Sequence, residues 1–466
     1  MAHDLIFKNG VVVTPSGLVQ GGVSIDGESI THVGSDDELG QGFREVNLDG
    51  RILFPGVMDP HTHFGCGDRW DEDTLVTDFT INSKDALIGG VTTVATTTLV
   101  GSDSLTGLYN QTKRAGTGRS YCDFVIDSVV TDRAGIDEIP SLIAQGASGF
   151  KFFTGYIGEQ AEAFGMNPNG FPPALFFEAC EAIRKGGRAG FAKIHAEEPT
   201  VRGLLVDRMR RSDAPATLMS WADTTPEWAE SAQVYTYGMI ASQLSVPFYP
   251  VHISTARTLD TIRWMRSQGT KMTIETLTLF LNATAQEMDA RKLGGMAKIQ
   301  PPLRHQADQD GLWDAVVDGT IQTIGTDTCT YSATYKTGAD FWGCRVGVNI
   351  QFADTIALMM TNGVATGRID LRTMARLLSE NPAKRYGIYP QKGAITVGAD
   401  ADLVVIDPER EMTLGVDRLR GKSDYSVWEG TPAQGVPVLT TLRGNIVMED
   451  GEITADEPKG MFLGAR

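Results

Sequence analysis

Cysteine is scarce in this chain: 5 of 466 residues, Cys66, Cys122, Cys180, Cys329 and Cys344, an odd number with no CxxC spacing. That excludes a disulfide framework and a zinc knuckle, and the thiols read as reduced. Positive charge is short as well. Lys plus Arg total 41 against 58 Asp plus Glu, a net charge of -17, which repels nucleic acid phosphate and anionic membrane surfaces. The opening MAHDLIFKNG has no basic stretch followed by an apolar one, and no window supplies the roughly 18 uninterrupted apolar residues of a membrane helix. Internal repeats and low-complexity segments are missing too. These absences predict a soluble, cytoplasmic chain with neither nucleic acid nor membrane as partner.

What is present changes texture along the chain. The first fifty residues are short β segments with hairpin signals at Asn9-Gly10 and Asp26-Gly27, and the C-terminal region repeats the style with a Gly444-Asn445 turn. Between them, short apolar runs alternate with helical patterns, as in parallel strands linked by crossover helices. Eight strands are expected, centred on Val57-Met58, Thr92 to Ala95, Phe124 to Asp127, Phe150 to Phe153, Phe191 to His195, Val251 to Ile253, Met272 to Thr276 and Ile321 to Asp327. Leu259, Ile262 and Met265 share one helical face that stops at Gly269, and Asp370 reads as the N-cap of a helix carrying Leu371, Met374 and Leu378. The fold class expected is α/β: a (β/α)8 TIM barrel over residues 55–385, with a small β-sandwich domain built from both termini, 1–54 and 386–456, and a tail at 457–466.

Only seven histidines occur, and four fall at expected strand ends. His61 and His63 close the first strand, where residues i and i+2 point to one side and two imidazoles can meet one metal. His195 ends the fifth strand, His252 the sixth, and Asp327 the eighth. One HxH pair is a weak signal. Four histidines and an aspartate converging on the C-terminal rim of one barrel are a divalent-metal site, suited to zinc and open to manganese or cobalt.

Lys151, in the run GFKFFTGY, ends the fourth strand on that rim. Alone it reads as a lysine laying its stem on apolar surface. Among metal ligands its ammonium is the wrong charge, whereas carboxylation by CO2 gives an anion able to bridge two ions about 3.5 to 4 Å apart. Phe150, Phe152 and Phe153 are expected to desolvate the amine and favour its reactive neutral form.

HxH, Lys, His, His and Asp in this order, with PGVMDPHTHF, GFKFF, KIQPPLR (298–304) and LLSENPAKRYGIYPQKGAITVGADADLVVIDP (377–408), resemble the amidohydrolase superfamily in its two-metal form, and within it the dihydropyrimidinase, hydantoinase and allantoinase family. The likeness spans nearly the whole chain. It implies two divalent metal ions, one held by His61, His63, Lys151 and Asp327, the other by carboxylated Lys151, His195 and His252. It implies hydrolysis of the amide C–N bond of a cyclic amide or imide, such as a hydantoin or dihydropyrimidine, by a metal-bridging hydroxide. Asp327 would shuttle the proton and Tyr156 would steady the oxyanion. It also implies a homo-oligomer, dimer or tetramer. Asp59 is a candidate for orienting a ligand histidine, or equally for capping a turn.

The chain departs from the family where substrate is held. Gln300 stands in place of the usual serine before Pro301-Pro302-Leu303-Arg304, and Gly343 falls where an amide-binding asparagine is typical. Substrate-facing loops are expected at 65–73 and 154–173, with Trp70, Tyr156, Phe164 and Phe171 as an apolar wall, and Arg69 near enough to meet a carboxylate. These departures keep open the same chemistry on an open-chain amide, urea or carbamate; the resemblance also implies, as a different class, a noncatalytic scaffold protein of the same fold, against which the full ligand set argues.

Overall fold

The computed structural model describes residues 2–101, 103–187, 189–338, 340–349 and 352–465. The chain begins with β1 (His3–Thr14), β2 (Gly17–Asp26), β3 (Ser29–Gly34), β4 (Gly42–Asn47) and β5 (Ile52–Pro55). The central region contributes β6 (Val57–Gly67), β7 (Val91–Thr97), β8 (Asp123–Val129), β9 (Gly149–Phe153), β10 (Phe191–His195), β11 (Phe248–Pro250), β12 (Glu275–Leu277), β13 (Thr323–Gly325) and β14 (Thr328–Thr330). The C-terminal region adds β15 (Leu403–Leu414), β16 (Thr431–Leu442), β17 (Asn445–Glu449) and β18 (Glu452–Ile453).

Strands from both ends of the chain share one nine-stranded sheet in the order β18-β17-β16-β15-β5-β1-β2-β3, with β4 beside β1. Its own apolar core brings Leu5, Phe7, Val23 and Ile25 against Leu403, Val405 and Leu439. Two hairpin signals shift. Asn9 lies inside β1 in the left-handed conformation, φ 59°, at a bulge between Phe7 and Gly10 in the pairing with β2. Pairing with β2 resumes at Gly10 opposite Gly21, so the strand continues and the extra residue is absorbed as a bulge. The β16–β17 turn is made by Arg443 and Gly444, at φ 45° and 74°, one residue earlier than expected. Asp26-Gly27 does begin a hairpin turn, with Asp26 paired to Ser29.

The central strands form a curled parallel sheet in the order β11-β10-β9-β8-β7-β6-β14, and β12 pairs with β13. Hydrogen bonds join these arcs into a ring: Thr273 N donates to Phe248 O (3.0 Å), Ile253 N to Glu275 O (2.8 Å), and Asp327 N to His61 O (2.8 Å). This is the (β/α)8 barrel, with helices between the strands. The sixth, seventh and eighth strands are short, three residues each, so His252 falls two residues beyond β11 rather than within a strand. The helix Ala256–Ser267 buries Leu259, Ile262 and Met265, and Asp370 caps Leu371–Ala375 by accepting from Thr373 N at 2.7 Å. Residues near the C-terminus return to the barrel's N-terminal end, where Leu463 N donates to Phe124 O. Among the described residues no helix is long and apolar enough to cross a membrane.

The barrel interior is layered, because residues of one parity along each strand all point inward. Met58, Ala95, Val125, Phe191 and Tyr249 form an apolar floor with Tyr386. Above it lies a polar layer: Lys193 Nζ donates to Asp127 Oδ2 (2.6 Å), to Pro60 O (2.5 Å) and to Tyr386 Oη (3.1 Å). Gly149 is glycine for a local reason, since a Cβ there would lie 1.7 Å from Asp127 Oδ1. The next inward residues on β9 and β10 are Lys151 and, at the strand end, His195.

Candidate metal centre

His61 and His63 leave β6 on the same side, and both reach Asp327: His61 Nε2 to Oδ1 is 3.2 Å and His63 Nε2 to the same oxygen is 2.9 Å. One ligand atom from each of the three lies within 4.8 Å of the others, a spacing that suits one metal ion. Their remaining ring nitrogens are already engaged. His61 Nδ1 meets Glu275 Oε1 at 2.7 Å and His63 Nδ1 meets Thr97 Oγ1 at 3.0 Å, which fixes ring orientation and leaves Nε2 facing the centre. Asp327 occupies a left-handed backbone position, φ 56°, where the eighth strand breaks between β13 and β14. This break turns the carboxylate onto the rim instead of into the strand pairing.

On the other side, His195 Nε2 is held by Glu197 Oε2 at 2.7 Å, leaving Nδ1 as the available ligand atom. The His252 ring stacks on His61 with centroids 5.4 Å apart and meets His195 edge-on at 4.6 Å. His252 is also left-handed, φ 40°, and its amide donates to Glu275 Oε1. Two non-glycine residues in this sparse region, both on the rim facing the candidate centre, are held there by their surroundings.

Burial, first, pushes the imidazoles of His61, His195 and His252 below the ordinary histidine range; Lys151 adds its charge for all three, and Glu197 opposes the shift at His195. Neutral imidazole is the form that binds a cation. Lys151 is completely buried, with Nζ 3.1 Å from His61 Nε2, and burial, reinforced by the charge of Lys193, lowers its pKa to about 7. The donor set therefore fits divalent metal ions: neutral nitrogens, a carboxylate, and an amine that loses its proton far more readily than an ordinary lysine.

The phenylalanines around Lys151 divide by parity. Phe153, two residues on, points the same way, and Lys151 Nζ sits 5.0 Å from its ring centroid. Phe152 points outward and packs on Phe171 and Phe176, and Phe150 shares that outer core. Desolvation of Lys151 thus comes from the barrel interior and Phe153, not from all three aromatic neighbours. Of the two roles open to Asp59, the structure places it in the turn-capping one. Its carboxylate accepts from the His61 and Thr326 amides and the Thr326 hydroxyl, so it ties the first strand to the eighth through backbone. Orienting the His61 ring falls to Glu275.

The cavity beside the centre is lined by His63, Trp70, Phe153, Tyr156, Phe164, His195, His252, Gln300 and Asp327. Trp70 and Tyr156 each pack on Phe164, with centroids 5.0 and 5.1 Å apart, and Tyr156 meets His195 at 5.0 Å. Gly155 allows this approach, since a Cβ there would fall 2.7 Å from His195 Nε2. Phe171 is not in the wall. It packs on Phe152 beneath, and its carbonyl accepts from Tyr237 Oη. Arg69 projects into solvent with its side chain 82% exposed. Gly343 borders a neighbouring groove with Trp342, Arg202 and Lys298. The 341–347 loop that completes the cavity through Val346 and Gly347 is held by two buried ammoniums. Lys298 donates to the carbonyls of Phe341, Trp342 and Cys344, and Lys336 to those of Lys298, Arg345 and Gly347.

Two carboxylates central to this arrangement, Glu197 and Glu275, escaped the sequence reading. Glu197 had a local signal, standing two residues after His195; Glu275 is a lone acid in an apolar strand that only ring closure brings to His61.

The chain matches the model of the Amidohydrolase family over residues 227–447. It is 28% identical to a D-hydantoinase of Ralstonia pickettii, with 99% of each chain covered, and 27% identical to an L-hydantoinase of Paenarthrobacter aurescens, covering 99% of this chain and 98% of the relative. Among solved structures, a dihydropyrimidinase from Brevibacillus agri superposes with a TM-score of 0.88 at 27% identity over 98% of both chains. The L-hydantoinase from Arthrobacter aurescens gives 0.89 at 25% identity, over 99% of this chain and all of the other.

Proposed function

We infer that this chain, an amidohydrolase of the hydantoinase and dihydropyrimidinase kind, is a metal-dependent hydrolase that opens the C–N bond of a cyclic amide or imide. The observation that carries the reading is the convergence of His61, His63 and Asp327 within 4.8 Å on a barrel rim that also presents Lys151, His195 and His252. We assign those six residues as metal ligands, the ions as zinc with manganese or cobalt as substitutes, and Lys151 as carboxylated at Nζ. Residues 55–385 are taken as the catalytic barrel, residues 1–54 with 386–456 as the accessory sheet domain, and 457–466 as a tail. The protein is taken to be a cytoplasmic homo-oligomer, dimer or tetramer, acting on a small molecule.

Divalent ions, when bound, lower the pKa of water and polarise a carbonyl. The protein's own residues do the rest. Asp327 bridges toward both histidines of β6 and accepts a proton from attacking water, then returns it to the leaving nitrogen. Tyr156 lines the cavity, and burial holds its phenol far above the ordinary tyrosine range, so it stays a hydrogen-bond donor for an oxyanion. Trp70 and Phe164 give an apolar seat for a ring substituent and exclude water.

The test is metal content and turnover of wild type beside Lys151→Ala, with dihydrouracil, phenylhydantoin and a linear carbamate as substrates. Two ions per chain, a sharp loss in the variant and ring opening by the wild type are expected. Metal with only linear turnover would replace the substrate class, and metal without turnover of any kind would favour the scaffold reading.

A further inference from the structure

The groove beside the cavity shares Tyr156, Phe164 and Val346 with it as a common wall. In a chain of net charge -17, this groove is lined by four cationic side chains, Arg202, Arg210, Lys298 and Arg345, and by one acid, the exposed Glu159. Two of the four are engaged by the protein itself. Lys298 donates to the carbonyls of Phe341, Trp342 and Cys344, and the buried Arg202 donates to Gly155 O and to the Gln160 side chain. Arg210 and Arg345 form no ion pair among the described residues. Asp340, the other acid near them, accepts from the Gly343 amide at 3.0 Å and pairs with neither.

Arg345 lies at the seam between groove and cavity. Its guanidinium carbon is 5.6 Å from the ring centroid of Trp70 and 5.7 Å from that of Phe164, two residues of the cavity wall, and 5.9 Å from that of Tyr335. Its Nη2 donates to Ala163 O at 3.0 Å, and Nε and Nη1 have no acceptor among the described residues. Three aromatic rings and one carbonyl thus fix the cation in place, while most of its donors stay open. A guanidinium in that condition matches a carboxylate, which its forked N–H groups meet with two parallel hydrogen bonds. We propose that Arg345, with Arg210 adding charge from the same groove, forms an anion subsite at the mouth of the cavity and takes a carboxylate carried on the exocyclic substituent of the ring substrate. This rests on the ring-opening reading above and deepens it: with the ring at the metal centre, the substituent runs over Trp70 and Phe164, and its acidic end meets Arg345.

The experiment compares hydantoin-5-propionic acid with its neutral primary amide, which has the same shape without the charge. Both kcat/KM and calorimetric binding are measured on metal-loaded wild type, Arg345→Gln and Arg210→Gln, with metal content and melting temperature followed in parallel. Wild type is expected to favour the acid by about 10-fold, near the lower end for hydrogen bonds to charged groups because the subsite is partly open to water. The preference should fall toward unity in Arg345→Gln, fall in part in Arg210→Gln, and shrink in wild type as salt rises from about 0.05 M to about 0.5 M. If Arg345 only props the aromatic wall, its loss lowers acid and amide alike and the unchanged ratio overturns the proposal, as does a wild type that does not discriminate. Should Arg345→Gln fail to fold, the salt dependence in wild type and the Arg210→Gln ratio decide. Inhibition by an N-carbamoyl amino acid with an uncharged side chain, relieved in Arg345→Gln with no preference for the acid substrate, would assign the groove to the product's new carboxylate and overturn the substrate assignment. If neither ring compound is turned over, the ring-opening reading falls, and the calorimetric preference for acid over amide still decides the anion subsite.

Discussion

Lys151 and Lys193 face each other in register on the neighbouring parallel strands β9 and β10, both completely buried, yet only Lys193 has a carboxylate partner, Asp127 at 2.6 Å. The same parity that sends both chains inward places them in different layers of chemistry. Lys193 is a structural cation satisfied by an acid, a carbonyl and a tyrosine; Lys151 is left to the metal centre.

Removing the Lys193 charge should therefore cost stability. Lys193→Met leaves Asp127 buried with only Tyr386 as its remaining close donor, and breaking such a pair typically costs about 3–5 kcal/mol. Urea denaturation of the variant should show this loss, and a second change, Asp127→Leu, should recover part of it by removing the stranded carboxylate.

Glu275 should govern metal affinity without being a ligand. It holds His61 Nδ1 at 2.7 Å and also accepts from Tyr249 Oη at 2.6 Å. Glu275→Gln keeps the shape and weakens the hold on the imidazole, and loss of such support typically lowers metal affinity about 10- to 100-fold. Chelator competition should show that shift. An unchanged affinity would leave Glu275 a purely structural acid.

A pH-dependent contribution to stability is expected far from the metal centre, at Asp85. Burial, first, raises its carboxyl to about 7, opposed by hydrogen bonds from the Arg420 and Gly421 amides. Because the folded value lies above the unfolded value of 3.8, the stability it contributes is present in full below that unfolded value and is lost as pH rises through about 7. Asp85→Asn keeps an acceptor for both amides and removes the titration. Its stability relative to wild type should increase between pH 5 and pH 8, measured by urea melts at each pH; a constant difference would show that Asp85 does not titrate in this window.

Much of the candidate site was legible because barrel chemistry follows strand ends, and strand ends can be read from short apolar runs. His61 and His63 are two apart and so share a side; His195 ends its run, whereas Lys151 lies in the middle of β9, two residues before the strand end expected for it. The same parity rule, applied strictly to GFKFF, would have shown that Phe150 and Phe152 point away from Lys151. His252 and Asp327 were placed by their runs, but their left-handed backbones were not foreseeable, since no local turn signal marks them.

By itself the sequence determined the fold class and the order along the chain of the residues that meet at the candidate centre, because these depend on local periodicity and on the chemistry of side chains. Tertiary structure alone decided the long-range groups that orient them. Glu275 meets His61 from 214 residues away, and Gln300 meets Glu197 from 103, distances over which no local pattern carries information. Asp59 shows that nearness in sequence is not enough: two residues from His61, it contacts that residue's amide and not its ring, whereas Glu197, two residues from His195, does reach the ring.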